Sequence, residues 1–441
     1  MPSAIADDQY VLARRTKLAR LREAGIDPFP PHFTRTHTNA EARCEFDDLV
    51  ARGAIVTLSG RVTLLRTMGK ATFAELRDGY DRFQAYLRVD GTGDDAYRLF
   101  LDTVDLADTI GVTGTLFTTR TGEKTLQATS WVMLSKALRP PPEKWHGLTD
   151  AEARYRRRHL DLISNAEARD VLRKRAAIVR EVRRFLDDRG FIEVETPVLQ
   201  GQHGGATARP FHTHHNALDR DLALRIALEL YLKRLLIGGV DKVYEIGRVF
   251  RNEGISRKHN PEFTMLETYE AYADYRDVMA MVEALVSTVA LNVLGTMVIT
   301  VDGKDVDLTP PWPRRSLRQA ILDESGIDYA LHPTLEALDG AVRAAGLRVE
   351  PQKTRAQLID QLLSTFVEPK IVNPIFLVDY PVDLSPFAKR KPGEADVVER
   401  FEAFAAGVEI GNAFTELNDP DDQFQRFLEQ ANASMAGDEA A

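Results

Sequence analysis

Cysteine is almost absent from this sequence, since Cys44 is the only one among 441 residues. A single cysteine excludes an internal disulfide and any metal cage built from several cysteines, which fits a reducing compartment. Long apolar segments are lacking too. The opening stretch, MPSAIADDQYVLARR, has no apolar core before its charges, so it lacks the pattern of a signal peptide. The most apolar window, residues 282–300, contains Glu283 and Asn292 and predicts a buried helix running into a strand rather than a membrane span. These absences predict a cytoplasmic protein with no membrane association.

Charge is the next constraint. The formal net charge is −9, with 28% charged and 44% hydrophobic residues, a balance that is ordinary for a soluble globular protein of two or three domains. An acidic total argues against nucleic acid covering the whole surface, but it leaves local basic surfaces open. Residues 1–54 are expected to form a helical arm, in which residues 10–25 make an amphipathic helix with a basic face that ends at Gly25. That face is either solvated or in contact with a nucleic-acid backbone.

Residues 55–137 have the sequence pattern of several short strands. Turn signals at Asp78-Gly79 and Thr121-Gly122 separate them, and a helix is expected near Asp94. Five short strands with one helix predict a small OB-type barrel. With Asp78 and Gly79 as the central turn residues, Phe73 would lie directly opposite Gln84. A ring beside an amide suits a face that stacks on and reads an unpaired base, although such a pair is common in any hairpin. Residues 138–150, rich in proline, are then expected to be a stiff linker to a second domain over 151–441.

A predicted strand–loop–strand unit, residues 242–272, organises the second domain. On the outgoing arm Arg251 and Glu253 would share one face, because side chains in a strand repeat with period two. Phe263, Glu267 and Tyr269 would share one face of the returning arm. The resulting charged patch is either an internal salt-bridge network or a functional site.

A second predicted hairpin, residues 399–419, carries further carboxylates. A tight turn at Ala405-Ala406 would place Glu402 opposite Glu409, where like charges repel. Either a hard divalent cation such as Mg²⁺ relieves this repulsion, or one glutamate turns to solvent or pairs with an arginine.

Asn412, Phe414 and Glu416 follow at spacing i, i+2, i+4, and they form either a polar edge or part of a binding site. Taken with Glu229, Glu267 and Tyr269, they supply carboxylates and aromatic rings with no additional cation. That set is the complement of a long aliphatic amine, with carboxylates for the ammonium group and rings along the methylenes.

The run FRNEGISRKHNPEFTMLE closely resembles motif 2 of the class II aminoacyl-tRNA synthetases, in the form carried by lysyl-tRNA synthetases. Matching positions extend from about residue 12 to residue 430. The resemblance implies an α+β protein, with an N-terminal OB-fold anticodon-binding domain and a catalytic domain built on an antiparallel β-sheet. The segment ARDVLRKRAAIVREVRRFLDDRGFIEVETPVL resembles motif 1, the dimer interface of the family, so a homodimer is implied as well.

The resemblance also implies roles for individual residues. In the family the matching arginine, Arg251, is catalytic. The positions matching the ATP site are Arg251, Glu253, His259, Asn260 and Phe263. Those matching the lysine site are Gly205, Glu229, Glu267, Tyr269, Asn412, Phe414 and Glu416. Those matching the magnesium site are Glu402 and Glu409. Those matching the anticodon-binding site are Phe73, Gln84 and Glu123.

The activity implied is that of a lysine–tRNA ligase using L-lysine, ATP, Mg²⁺ and tRNA(Lys). Lysine would first be activated to lysyl-adenylate and then transferred to the terminal ribose of the tRNA. One family element has no match before Ala441: the glycine-rich strand and helix called motif 3. This departure predicts either an incomplete, C-terminally truncated chain or a tRNA-binding derivative with impaired catalysis.

Overall fold

The computed structural model describes residues 9–141, 148–206, 208–256 and 259–435, with side chains only to residue 428 in the last helix. Two compact units divide the chain, residues 1–171 and 172–441. The predicted linker lies partly outside the described residues, because they do not include 142–147.

The first unit contains a closed β-barrel. Its strands are β1 (Val56–Met68), β2 (Ala71–Arg77), β3 (Arg82–Arg88), β4 (Thr109–Thr118) and β5 (Lys124–Ser135). They close in the order β1-β2-β3-β5-β4. Side chains alternate along β2, where Thr72, Ala74 and Leu76 are buried and the residues between them are half-buried, as strand geometry requires. The predicted five-stranded barrel is confirmed.

Seven helices of this unit are described. They are α1 (Gln9–Glu23), α2 (Asn39–Cys44), α3 (Phe46–Ala51), α4 (Val89–Thr92), α5 (Asp94–Thr103), α6 (Ala151–Arg156) and α7 (Arg158–Ser164). The predicted N-terminal helix is confirmed as α1, and the helix expected near Asp94 as α5. Phe46 of α3 and Phe100 of α5 are buried in the barrel core, so these two helices close the barrel against solvent.

A buried lysine anchors α1 to the barrel. The ammonium group of Lys136 is fully buried and lies 2.7 Å from both Asp105 and Asp108. Lys17 of α1 contacts Asp105 at 2.6 Å. Arg14 of the same helix donates to the carbonyl oxygen of Ala137 at 2.9 Å. Since a buried charge is tolerated only when it is paired, this network fixes the position of α1 on the barrel.

The second unit is built on several sheets. Its strands are β6 (Ile192–Glu193), β7 (Leu199–Gln200), β8 (His212–His215), β9 (Arg220–Leu224), β10 (Lys242–Phe250), β11 (Glu262–Glu270), β12 (Val298–Val301), β13 (Lys304–Asp307), β14 (Arg314–Ser316), β15 (Ile375–Pro381), β16 (Arg390–Lys391), β17 (Glu394–Ala405) and β18 (Val408–Phe414). The sheets have the orders β11-β10-β6, β7-β9-β8, β12-β13 and β14-β15-β17-β16, with β18 also paired to β17. Most pairs are antiparallel, while β6–β10 and β14–β15 are parallel.

Helices surround these sheets, which confirms the predicted α+β class. They are α8 (Ala166–Asp187), in which the two units divide, α9 (Glu229–Ile237), α10 (Tyr275–Leu294), α11 (Leu317–Ser325), α12 (Leu335–Ala344), α13 (Arg355–Leu362) and α14 (Pro420–Met435). Both predicted hairpins are present, as β10–β11 and β17–β18.

Helix α10 is, among the described residues, the one helix long and apolar enough to cross a membrane by length and composition. Its two apolar faces contact different sheets of the same unit. Val278 and Val282 pack in the cluster that contains Phe401 of β17, while Met281 and Leu285 pack in the cluster around Tyr244 of β10. These contacts are those of a helix between two sheets. Because β12 begins at Val298, shortly after α10 ends, the predicted passage from a helix into a strand is confirmed.

We expect Lys136→Met to destabilise the barrel strongly, because Asp105 and Asp108 would lose their shared cation. Removing one partner of a buried ion pair costs about 3–5 kcal/mol. Amide hydrogen exchange of β1, β4 and β5 in the whole chain, followed by mass spectrometry, measures this loss. Arg98→Met is the matched control, since Arg98 pairs with Asp94 at the surface and such pairs contribute less than about 1 kcal/mol. Wild-type protection in Lys136→Met would contradict the prediction.

Candidate functional site

A buried ion pair fixes the base of the β10–β11 hairpin. Arg225, just after β9, lies 2.6 Å from Glu245 of β10, and each side chain is only 4% exposed. The same guanidinium donates to the carbonyl oxygens of Thr196 at 3.0 Å and Arg248 at 2.8 Å. Through these hydrogen bonds, the guanidinium of Arg225 joins the end of β9 to β10. It thereby fixes the strand next to the candidate site.

Glu267 and Tyr269 lie on the neighbouring strand β11. Oε1 of Glu267 accepts a hydrogen bond from the amide of Leu228, and Oε2 accepts one from the hydroxyl of Tyr269, both at 3.0 Å. Burial raises the pKa of Glu267 above its ordinary value, against the lowering effect of the Leu228 amide. The pKa of Tyr269 is raised by burial first, and then by three surrounding carboxylates: Glu267, Glu229 and Glu416. The predicted lysine-site carboxylates therefore converge around one phenol.

Glu229 is the first residue of α9, where a helix dipole favours a carboxylate. The backbone of Gly205 passes directly beside it. The φ angle of Gly205 is +87°, and a Cβ there would lie 2.9 Å from Cβ of Glu229 and 3.2 Å from Cβ of Ala227. Glycine is required by both the conformation and the close approach, so Gly205 forms a wall of the site.

Lys233 also lies in this group. Its ammonium nitrogen is 2.6 Å from Oε1 of Glu229 and 2.7 Å from Oε2 of Glu416. It also lies 5.2 Å and 5.5 Å from the ring centroids of Phe387 and Phe414. Burial opposes its charge, but the two carboxylates outweigh this effect and the pKa of Lys233 is raised. Burial likewise raises the pKa of Glu416 to about 7, although Lys233 counteracts it.

The prediction that the site contains no additional cation is therefore wrong. A signal for Lys233 was present in the sequence, because it follows Glu229 by four residues, the spacing at which a glutamate and a lysine meet on one helix face. Its contact with Glu416 had no such signal, since it joins α9 to the chain beyond β18.

Glu402 and Glu409 belong to one hairpin, but they are not opposite each other. Glu402 pairs with Asn412, so the predicted opposition is wrong. The two-residue turn occupies Ala406 and Gly407, with φ angles of +54° and +70°, one residue later than predicted. Two positive φ angles are typical of type I′ turns, in which glycine is favoured. An extra residue of β18 then bulges between Phe404 and Ala403 and shifts the register again.

The charges of these two glutamates still interact. Oε1 of Glu402 lies 2.5 Å from Nη2 of Arg400, whose Nε donates to Oδ1 of Asn412 at 3.2 Å. The pKa of Glu409 is raised to about 7, first by desolvation and then by repulsion from Glu402, while Arg400 and Arg251 lower it. Within the described part of the chain, the side chain of Glu409 accepts no hydrogen bond. This carboxylate therefore has both oxygens available for a ligand.

Arg251 is the first residue beyond β10, so the predicted strand face shared by Arg251 and Glu253 is wrong. The backbone bond that follows the β10–β11 ladder runs from the Arg251 amide to the carbonyl oxygen of Pro261, at 2.8 Å. Proline has no N–H to return to the ladder, and the chain leaves the sheet there. Glu253 lies in the exposed loop that follows.

The guanidinium of Arg251 nevertheless reaches the site. It lies 5.3 Å from the ring centroid of Phe263, and its Nε donates to the carbonyl oxygen of Ile226 at 3.3 Å. Its charge lowers the pKa of both Glu267 and Glu409. Arg251 thus stands in electrostatic contact with both carboxylate groups, the one around Tyr269 and the one on the β17–β18 hairpin.

The other predicted nucleotide residues lie on the exposed loop. His259 contacts the hydroxyl of Ser256 at 2.8 Å, and Asn260 donates to the carbonyl oxygen of Glu262 at 2.8 Å. Residues 257 and 258 lie outside the described residues. The structure thus brings Arg251 and Phe263 together, while Glu253, His259 and Asn260 extend to solvent.

The predicted base-binding face lies on the outside of the barrel. Phe73 is opposite Tyr86 rather than Gln84, so the predicted pairing is wrong. The hairpin loop has four residues instead of two, because Oδ1 of Asp78 accepts from the amides of Tyr80 and Asp81 at 2.8 Å each. Gln84 still shares the outer face with Phe73 as its diagonal neighbour.

An aromatic row extends this face. The rings of Phe73 and Tyr86 have centroids 4.6 Å apart, and those of Tyr86 and Phe117 are 5.9 Å apart. Gln84 donates to the hydroxyl of Thr125 at 2.8 Å, and Glu123 is exposed two residues earlier. Tyr86 was missed by sequence reasoning, although its spacing of two from Gln84 places it on the same face.

Two chemical abilities follow from this geometry. The cluster of Glu229, Glu267, Glu416 and Tyr269 is suited to a primary ammonium group, while Arg251 beside it is suited to an anion such as a phosphate or carboxylate. The aromatic row on the barrel is suited to stacking on nucleic-acid bases.

The comparisons with known proteins agree with this division. Residues 56–134 match the family described as OB-fold nucleic acid binding domain, and residues 150–440 match the tRNA synthetases class II (D, K and N). A lysine–tRNA ligase from Chloroflexus aurantiacus is 53% identical over 97% of this chain and 87% of its own length. Those from Roseiflexus castenholzii and Moorella thermoacetica are 53% and 51% identical, covering 97% and 99% of this chain and 88% of each relative. The chain therefore belongs to the lysine–tRNA ligase family of the class II tRNA synthetases.

Proposed function

We propose that this chain activates L-lysine with ATP and transfers it to tRNA(Lys). In the first step a carboxylate oxygen of lysine bonds to the α-phosphorus of ATP, and the bond to pyrophosphate breaks. In the second step a ribose hydroxyl of the tRNA attacks the acyl carbon, and AMP leaves. The convergence of Glu229, Glu267 and Glu416 around Tyr269, next to Arg251, is the observation that carries this proposal.

In this proposal lysine binds through a set of seven residues: Gly205, Glu229, Glu267, Tyr269, Asn412, Phe414 and Glu416. The carboxylates hold the ammonium group of the side chain, and the rings of Tyr269 and Phe414 line its methylenes. Three carboxylates in a partly buried site favour a cation and disfavour an acidic side chain, because the latter would add to the repulsion. This charge supports lysine over aspartate as the substrate.

ATP binds beside lysine, through Arg251, Glu253, His259, Asn260 and Phe263. Arg251 holds the reacting phosphate and takes up negative charge as it develops, the usual function of a positioned guanidinium in phosphoryl transfer. Phe263, which lies under that guanidinium, offers a flat surface to the adenine. Glu253, His259 and Asn260 lie on the exposed loop, from which they would close over the nucleotide.

Glu402 and Glu409 would hold Mg²⁺ together with the phosphates of ATP. The pair fits this metal, because Mg²⁺ is commonly held by one or two carboxylates plus substrate phosphates. Desolvation and, after it, repulsion from Glu402 raise the pKa of Glu409 to about 7, and a bound cation would offset both effects. When bound, Mg²⁺ supplies charge neutralisation to the phosphates. Arg400, which contacts Glu402 at 2.5 Å, holds the carboxylate of that residue in one position.

The remaining proposals concern architecture and tRNA. Following the predicted boundaries, we propose a helical arm over 1–54, an anticodon-binding domain over 55–137, a linker over 138–150 and a catalytic domain over 151–441. Phe73, Gln84 and Glu123 would contact the anticodon, as the aromatic row supports. The apolar side chains of Leu172, Ile192 and Leu199, all in the segment that resembles motif 1, are about half exposed, which supports a homodimer. We place the enzyme in the cytoplasm.

We expect Arg251→Ala to reduce lysine-dependent exchange of pyrophosphate into ATP by roughly a hundredfold to a thousandfold, because one charge-stabilising donor contributes about that much. Arg248→Ala is the matched control, since this exposed arginine lies on the same hairpin and its side chain only approaches Glu262 at 3.9 Å. Near-normal exchange in Arg251→Ala would reject the proposed role.

Binding of Mg²⁺ and ATP should release a proton from Glu409. With a pKa of about 7, this carboxyl is half protonated at pH 7, and the metal binds only its ionised form. Calorimetric titration with magnesium and ATP at pH 7, in two buffers of different ionisation enthalpy, gives the number of protons released. Glu409→Gln should release about half a proton less than the wild type. Because protons from ATP itself are common to both proteins, equal release would contradict the assignment.

Replacing Phe73 by alanine should raise the KM for tRNA by roughly 5- to 150-fold, since stacking of one base contributes about 1–3 kcal/mol. Pyrophosphate exchange, which needs no tRNA, should be unchanged. Phe73→Tyr keeps the ring and should retain most of the affinity. An unchanged KM in Phe73→Ala would show that bases do not stack on this face.

A further inference from the structure

We propose that Lys233 is a positioning residue for the substrate ammonium group: it holds one oxygen of Glu229 and one of Glu416, and presents the other oxygen of each to the ligand. This inference rests on the proposed lysine site. It adds to the site a cation, which partly balances the charge of the carboxylates while no substrate is bound.

The geometry indicates that Lys233 binds only one oxygen of each carboxylate and leaves the other oxygen for a ligand. Lys233 engages Oε1 of Glu229 and Oε2 of Glu416, at 2.6 and 2.7 Å. In the described part of the chain, no hydrogen bond engages Oε2 of Glu229 or Oε1 of Glu416. One oxygen from each carboxylate therefore remains for a second ammonium group, and the first has already fixed the planes of both carboxylates.

Lys233 is itself held firmly enough to act in this way. It lies one helical turn after Glu229, so the helix sets its starting point. The rings of Phe387 and Phe414 flank its ammonium group at 5.2 and 5.5 Å, and only 24% of its side chain is exposed. Lys233 consequently ties α9 to the segment after β18 across the site.

Charge balance gives Lys233 a second effect. Glu416 faces Lys233 and Glu229 from α9, and Glu267 and Tyr269 from β11. Of these four groups only Lys233 is cationic. Its removal would leave Glu416 among other carboxylates, and the pKa of Glu416, already about 7 with Lys233 in place, would rise further. Glu416 would then be protonated at neutral pH and would be a poor partner for an ammonium group.

The same contacts admit one competing role for Lys233. Lys233 could occupy the place of the substrate ammonium group and leave when lysine enters, which would make it an internal competitor. The two uses have opposite consequences. A competitor weakens lysine binding, so its removal tightens binding, whereas a positioning residue strengthens binding, so its removal weakens it. The two free carboxylate oxygens favour the positioning role.

The experiment measures lysine affinity by calorimetry and the KM for lysine in pyrophosphate exchange, at pH 6.5, 7.5 and 8.5. In Lys233→Met we expect lysine binding to weaken by roughly tenfold or more at pH 7.5, to weaken further at pH 6.5 and to recover in part at pH 8.5, because one pH unit changes the ionised fraction of a protonated carboxyl by about tenfold. The KM for ATP should stay within about twofold, since Lys233 does not contact the Arg251 side of the site. Lys233→Arg should restore most of the affinity.

Lys242→Met is the matched control. Lys242 also pairs with a glutamate, Glu270, at 2.6 Å and lies 5.5 Å from a phenyl ring, that of Phe191, but it is outside the site. It should leave lysine affinity and its pH profile unchanged. Circular dichroism and ATP affinity report whether each variant is folded, and Lys233→Gln replaces Lys233→Met should the latter fail to fold.

Two results would overturn the inference: tighter lysine binding in Lys233→Met, or unchanged affinity with an unchanged pH profile. Glu416→Gln, measured in parallel, separates this failure from failure of the proposed function. Weakened lysine binding in Glu416→Gln with wild-type behaviour in Lys233→Met rejects only the role of Lys233. Unchanged binding in both variants rejects the lysine site itself.

Discussion

Several carboxylates crowd into a small partly buried volume, and the need to balance their charge is the constraint on which the second unit depends. Arg225 neutralises Glu245 beneath the β10–β11 hairpin, Lys233 is shared by Glu229 and Glu416, and Arg400 contacts Glu402. Without such partners, buried carboxylates repel one another or take up protons. With them, each of these carboxylates has a fixed orientation. The same ion pairs that make this packing possible therefore also shape the site.

Charge compensation is incomplete at two places, at Glu409 on the β17–β18 hairpin and in the acidic cluster around Tyr269. Glu409 is influenced by Arg400 and Arg251 but is bonded to neither, and its pKa of about 7 reflects burial and repulsion. The acidic cluster around Tyr269 likewise retains more negative than positive charge after Lys233 is counted. A site with uncompensated negative charge is preorganised to bind cations. Enzymes use such preorganised charges to bind and stabilise charged reactants. Arg251, whose charge lowers the pKa of a carboxyl in each group, supplies the opposite charge for an anion.

The sequence predicts the elements of this protein better than their registers. The five barrel strands and both hairpins follow from alternation and turn residues, and the structure has them all. The exact pairings were wrong, because an aspartate side chain enlarges the β2–β3 loop and because a type I′ turn and a bulge displace Glu402 from Glu409. Such details depend on local backbone geometry, to which periodicity is insensitive. The convergence of Glu229, Glu267 and Glu416 required knowledge of the family, and the contact of Lys233 with Glu416 joins segments too far apart for any spacing rule.

The fully buried Lys136 at the end of the barrel has a practical consequence for dissecting the molecule. Its carboxylate partner Asp105 is shared with Lys17, and Arg14 caps the carbonyl oxygen of Ala137. A recombinant fragment limited to residues 56–135 would therefore lack Lys17 and Lys136. The carboxylates of Asp105 and Asp108 would then have lost these cationic partners. An autonomous anticodon-binding module should instead start no later than Gln9 and run past Ala137, so that helix and barrel are expressed as a single piece.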